Sequence, residues 1–137
     1  MRHAIVLFAL AVIVLFSGCG PKKASVSGVI TFEGKPLPEH IVSFEPVDVK
    51  NSLDLIATGT TDAQGHYTLV DLKTKAAVCP VGKCRVRIIW RNPNQPKPGS
   101  EEVAAYNPPV KLPVSTSDGS MTFEVPAGGT DKADFAL

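Results

Sequence analysis

Residues 61–69 read Thr-Asp-Ala-Gln-Gly-His-Tyr-Thr-Leu, and this stretch decides the fold. It is a turn that feeds a strand. Asp62 can accept backbone N–H bonds at the turn, and Gly65 can take the positive φ of a tight reversal. Tyr67 and Leu69 then alternate onto one face, toward a core.

The same rhythm runs outward in both directions. Within 25–32 the buryable face is Val26, Gly28, Ile30 and Phe32, followed by the turn Gly34-Lys35-Pro36. A second strand covers 41–45 and is stopped by Pro46. A weaker third covers 55–60, and a fourth follows the turn at 67–70. In 84–90, Val86, Ile88 and Trp90 face one way and Arg85 and Arg87 the other. Strands at 121–125 and 133–137 read as a closing hairpin around Pro126-Ala127-Gly128-Gly129. From residue 25 onward no segment carries a convincing run of apolar residues at helical spacing. The expectation is therefore all-β: an antiparallel sandwich of about seven short strands, Ig-like in outline.

The chain has 137 residues, enough for one domain. Residues 25–137 form that domain, with no internal repeat, and about 110 residues can bury a real core without staples. Twelve prolines and eleven glycines suit many turns and protected sheet edges. The rhythm breaks at 91–113, which holds Pro93, Pro96, Pro98, Pro108, Pro109 and Pro113. A structureless connection of that length is uncommon in a compact domain. It reads either as a functional loop or as polyproline-like cover over a sheet edge, with Tyr106 as a packing anchor.

The turn resembles the "TD-x-x-G-x-Y-x-L" signature of carboxypeptidase regulatory-like, transthyretin-like domains, with Asp62, Gly65 and Tyr67 as its motif residues. Val26-Ser27-Gly28-Val29-Ile30 with Gly34-Lys35-Pro36-Leu37 is similar to their opening hairpin. Pro80-Val81-Gly82-Lys83-Cys84-Arg85-Val86 resembles their "pG-x-Y-x-V" strand entry, with Cys84 where an aromatic is usual. Tyr106-Asn107 and the final Phe135-Ala136-Leu137 resemble residues of small planctomycete-type lipoproteins of this group. The resemblance spans almost all of 25–137. It implies a seven-stranded, prealbumin-like sandwich and no defined catalytic residues.

Upstream, 4–16 is an unbroken run of thirteen apolar residues. That is short of the roughly 20 needed for a bilayer span. With Arg2 before it and Gly18 after it, the run fits a secretory signal peptide. Phe16-Ser17-Gly18-Cys19 resembles a bacterial lipobox, differing at Phe16, where Leu is usual. The resemblance implies a lipoprotein signal peptide at 1–18 and lipidation of Cys19, whose thiolate would take the diacylglyceryl group. Several acyl chains anchor stably where one does not. Residues 19–24 are then the lipidated cysteine and its tether. The paired Lys22 and Lys23 could touch anionic headgroups or simply be solvated. Removing Arg2 from the 14 basic residues leaves 13, against 13 acidic ones. Such a balance gives no excess to neutralise phosphates, so nucleic acid is not an expected partner.

Little in the domain points to chemistry. Cys79 and Cys84 are the remaining cysteines, and export to an oxidising compartment favours a disulfide between them. Two free thiols or a redox or metal pair are the alternatives. Only His40 and His66 remain as histidines in 19–137, without zinc spacing. Asp62-Ala63-Gln64-Gly65 lacks the aspartate ladder of a calcium loop. No metal or cofactor is expected. Hydroxyisourate hydrolases on a related fold end in Tyr-Arg-Gly-Ser, whereas this chain ends Asp-Phe-Ala-Leu. Intradiol dioxygenases need two Tyr and two His, and here Tyr67 is read as core. The expectation is a non-enzymatic envelope lipoprotein, on the cell membrane or outer membrane, with its domain in the periplasm or at the cell surface. Its partners would be the membrane, through Cys19, and an envelope protein or glycan. A carbohydrate-binding module is the other reading, with Trp90 and Tyr106 as the ligand contacts.

Overall fold

The computed structural model describes residues 21–49, 52–95 and 107–137. The expected leader at 1–18, Cys19 and Tyr106 lie outside the described residues.

The chain is all-β. In order it forms β1 (Lys23–Ala24), β2 (Ser27–Phe32), β3 (Lys35–Pro36) and β4 (His40–Pro46). There follow β5 (Ala57–Thr60), β6 (His66–Thr68), β7 (Val70–Asp71) and β8 (Cys79–Pro80). The last three are β9 (Gly82–Trp90), β10 (Thr122–Val125) and β11 (Phe135–Ala136). One sheet has the order β10-β9-β4-β5-β7 and is antiparallel throughout. The other centres on β2, which pairs antiparallel with β3 and β6 and parallel with β11. A small β1–β8 ladder joins Lys23 to Pro80 and Ala24 to Cys79.

Alternation explains the layers. In β4, His40, Val42, Phe44 and Pro46 are buried while Ile41, Ser43 and Glu45 are half-exposed. In β9 the buried positions are Cys84, Val86 and Ile88. These meet Val26 and Ile30 from the opposite sheet, with Tyr67 and Leu69, in one apolar cluster. Phe44, Phe123 and Phe135 form a triangle with ring centroids 5.7, 6.0 and 6.3 Å apart and steeply tilted planes, an arrangement aromatic quadrupoles favour. Burying a side chain such as Phe44 is worth about 1.5–3 kcal/mol.

The turn at 61–69 is tightly specified. Asp62 Oδ1 accepts from the backbone N–H of Gln64 and of His66, both at 2.9 Å. Gly65 has φ +78°, and a Cβ there would stand 2.4 Å from the Ile30 carbonyl oxygen. That close approach allows the Ile30 N–H to donate to the Gly65 carbonyl at 2.9 Å. Only glycine satisfies both demands. Tyr67 is buried, and its hydroxyl donates to the Ala133 carbonyl at 2.6 Å, binding β6 to the approach of β11.

The structure revises several expectations. The last two strands form no hairpin: β10 pairs with β9 and β11 with β2, so the chain crosses from one sheet to the other between them. Leu55 belongs to a 3-10 turn, Ser52–Leu55, and the third strand starts at Ala57. Pairing begins at Lys23, inside the expected tether, because Asp71 takes the Lys23 ammonium and β8 takes its backbone. Among the described residues backbone pairing resolves eleven strands, five of them two-residue ladders that alternation cannot signal.

Candidate functional site

Trp90 and His40 are cross-strand partners at one end of the β4–β9 pair. Period-2 alternation puts both on the inward face, beside Ile88 and Val42. The segment after residue 106 folds back over them. Val110 and Leu112 pack against the core, and a 3-10 turn, Val114–Thr116, closes the segment. For 107–116 this is cover over the sheet end; 96–106 lies outside the described residues. The turn is held by Thr116, whose N–H and hydroxyl both donate to the Pro113 carbonyl, at 3.1 and 2.8 Å.

Between the cover and the sheet lies a cavity of about 160 Å³, lined by His40, Ile88, Trp90, Val110, Leu112 and Thr116 among others. This volume is on the scale of one six-membered ring. His40 is 1% exposed. Its Nδ1 lies 2.7 Å from the Pro38 carbonyl and donates to it, which leaves Nε2 as the second ring nitrogen. Nε2 is buried and has no partner among the described residues. An unmet buried polar atom costs about 1–3 kcal/mol. Trp90 is half-buried at the cavity wall, neither wholly core nor wholly exposed. Lys111 and Ser117 add polar groups to the rim. The arrangement suits a small ligand with an apolar face. Alternation marks His40 as a polar residue in a core position, yet a search for zinc spacing passes over it.

The other cysteine site lies at the opposite end. Cys79 and Cys84 are buried free thiols, not the expected bridge. Both point at the Pro80 carbonyl, at 3.6 and 3.7 Å. They also contact each other: the hydrogen bond to Cys84, then burial, holds the Cys79 thiol well above the ordinary range, while the same bond brings Cys84 down. The β8–β9 bend at Gly82, with φ +107°, brings the two together without a covalent link.

Elsewhere three carboxylates have charged or hydrogen-bonded partners within the fold. Asp71 accepts from the Lys23 ammonium and from the N–H groups of Lys73 and Thr74. Glu45 faces Arg85 at 3.7 Å and Arg87 at 3.9 Å and accepts from the Ser52 hydroxyl at 2.7 Å. Glu39 faces Arg91 at 3.7 Å on the surface. Among the described residues no three His, Cys, Asp or Glu side chains converge on a metal-sized site, and no helix is long and apolar enough to cross a membrane. No known protein family, curated protein or solved structure matches the chain.

Proposed function

We propose that this chain is an exported lipoprotein: a leader at 1–18, a lipid anchor on Cys19, and a non-catalytic β-sandwich that serves a binding or structural role in the cell envelope. The sandwich is of the carboxypeptidase regulatory-like, transthyretin-like kind, with a prealbumin-like core. The observation that carries the reading is the spacing of anchor and fold. Among the described residues pairing begins at Lys23, four residues beyond Cys19, so the domain would start close to its anchor. The Asp62–Gly65–Tyr67 turn supports the family resemblance, and the structural use of Asp71, Glu45 and Asp62 supports a role without catalysis. Replacing Cys19 by Ser tests it. The variant should leave the membrane fraction and lose the acyl mass; an unchanged membrane fraction would sink the reading.

The cavity beside Trp90 favours a second reading, a site for a sugar ring stacked on that indole. Trp90 is the one tryptophan, so intrinsic fluorescence reports on it alone. A saturable change on adding cell-envelope glycans would support the site, and a flat titration would remove it.

A further inference from the structure

We infer that the end of the sandwich carrying Leu53 and Leu72 docks on the bilayer surface that holds the Cys19 lipid. The inference rests on the lipoprotein reading and adds the face that meets the membrane.

The two ends of the sandwich differ. β4 and β9 run antiparallel, so Pro46 and Cys84 share one end while His40 and Trp90 share the other. The tether belongs to the first end: Lys23 pairs with Pro80, and the Val81 N–H donates to the Lys22 carbonyl at 2.9 Å. Asp71, which holds the Lys23 ammonium, is followed by Leu72, whose N–H donates to the Ile56 carbonyl at 3.1 Å. Lys73 reaches Asp54, the neighbour of Leu53, at 4.0 Å. The Val47 N–H donates to the Lys83 carbonyl at 3.0 Å. One network of contacts thus gathers Val47, Leu53 and Leu72 around the point where the tether enters.

These residues are exposed: Leu53 77%, Leu72 47%, Val49 41% and Val47 39%. Among the described residues, Ile89 and Val114 are the other large exposed apolar side chains. Leu53 sits on a 3-10 turn, and Leu72 begins the turn after β7, so either can enter an interface without disturbing a sheet. Four residues of extended chain reach at most about 14 Å, which keeps Lys23 close to an acylated Cys19 at the headgroups. The tether therefore turns this end, with its exposed leucines, toward the bilayer. The exposed Lys22, Lys73, Lys75 and Lys83 stand against Asp48, Asp54 and Glu124, a small excess of positive charge. The contact is chiefly apolar, and anionic lipid should strengthen it only slightly.

The test uses the full acylated chain in vesicles of neutral phospholipid carrying a lipid-borne quencher. An environment-sensitive fluorophore is placed at Leu53→Cys, Leu72→Cys or Val114→Cys; Cys79 and Cys84 are buried, and Cys19 is occupied by lipid. The labels at 53 and 72 should shift to the blue and quench several-fold more than the label at 114. Equal quenching at all three sites, with the acyl mass present on Cys19, overturns the docking and leaves the anchor standing. Absence of that mass overturns the anchor, and the docking with it. Leu53→Asp with Leu72→Asp, labelled at Val49→Cys, should stay on vesicles yet lose its quenching; retained quenching also overturns the docking.

Discussion

The Lys23–Asp71 pair is the latch between the first strand and the body of the domain, and its strength can be worked from its surroundings. The ammonium and carboxylate are 2.5 Å apart, with side-chain exposures of 26% and 1%. A hydrogen bond to a charged group contributes about 1.5–3 kcal/mol, and partial hydration of Lys23 places this one near the lower end. Asp71→Asn should cost about 2 kcal/mol, since the amide can still accept from Lys73 and Thr74 but leaves the lysine unpaired. Lys23→Met strands the carboxylate instead and should cost as much or more. Urea unfolding of the wild type, both single variants and the double variant at neutral pH gives the coupling directly. About 1.5 kcal/mol is expected, and a value below about 0.5 kcal/mol would refute the latch. The same pair sets an acid limit. Lys23 and the backbone donors hold the Asp71 carboxyl well below the usual carboxylate range. Its contribution is therefore complete above the unfolded value of about 4 and is lost as pH falls from there. Asp71→Asn should flatten that part of the stability profile.

Other expectations follow from close contacts. A Cβ at Gly28 would lie 2.1 Å from the backbone oxygen of Ala133, so Gly28→Ala must displace the approach to β11. A loss of about 2–3 kcal/mol in thermal or urea unfolding is expected, and a neutral substitution would show the two strands are not in register. Tyr67→Phe removes the donor to Ala133 and leaves a buried carbonyl, which should cost about 1–2 kcal/mol in the same assay. Cys79 and Cys84 should resist alkylation in the native chain and each take one adduct in denaturant. A chain that takes none when unfolded and unreduced carries a bridge, and the free-thiol description fails.

What the residues revealed depended on how local each feature is. Alternation in β4 and β9 is written into successive positions, so Val42, Phe44, Val86 and Ile88 are legible as core. The Asp62–Gly65 turn is legible because its bonds close within five residues. The β1–β8 ladder joins segments far apart in the chain, and two residues are too few to show a period. The final strands mislead for the same reason. Pro126-Ala127-Gly128-Gly129 looks like a hairpin turn, yet Gly129, at φ +77°, carries the chain toward Ser25, just ahead of β2 in the other sheet. At the candidate site, Trp90 is visible from its place at the end of β9. The cavity depends on residues 107–117 folding over His40, a contact no short window contains.

The parallel pairing of β11 with β2 has a consequence for synthesis. Phe135 lies beside Ile30, about a hundred residues earlier in the chain, and Val26 bridges to Thr130. A ribosome releases the second partner about a hundred residues after the first. Until the last strand emerges, β2 has an open backbone edge and Phe44 lacks the Phe135 ring that packs against it. The core around Phe44 and the β2 edge is therefore completed only once β11 is free to pair.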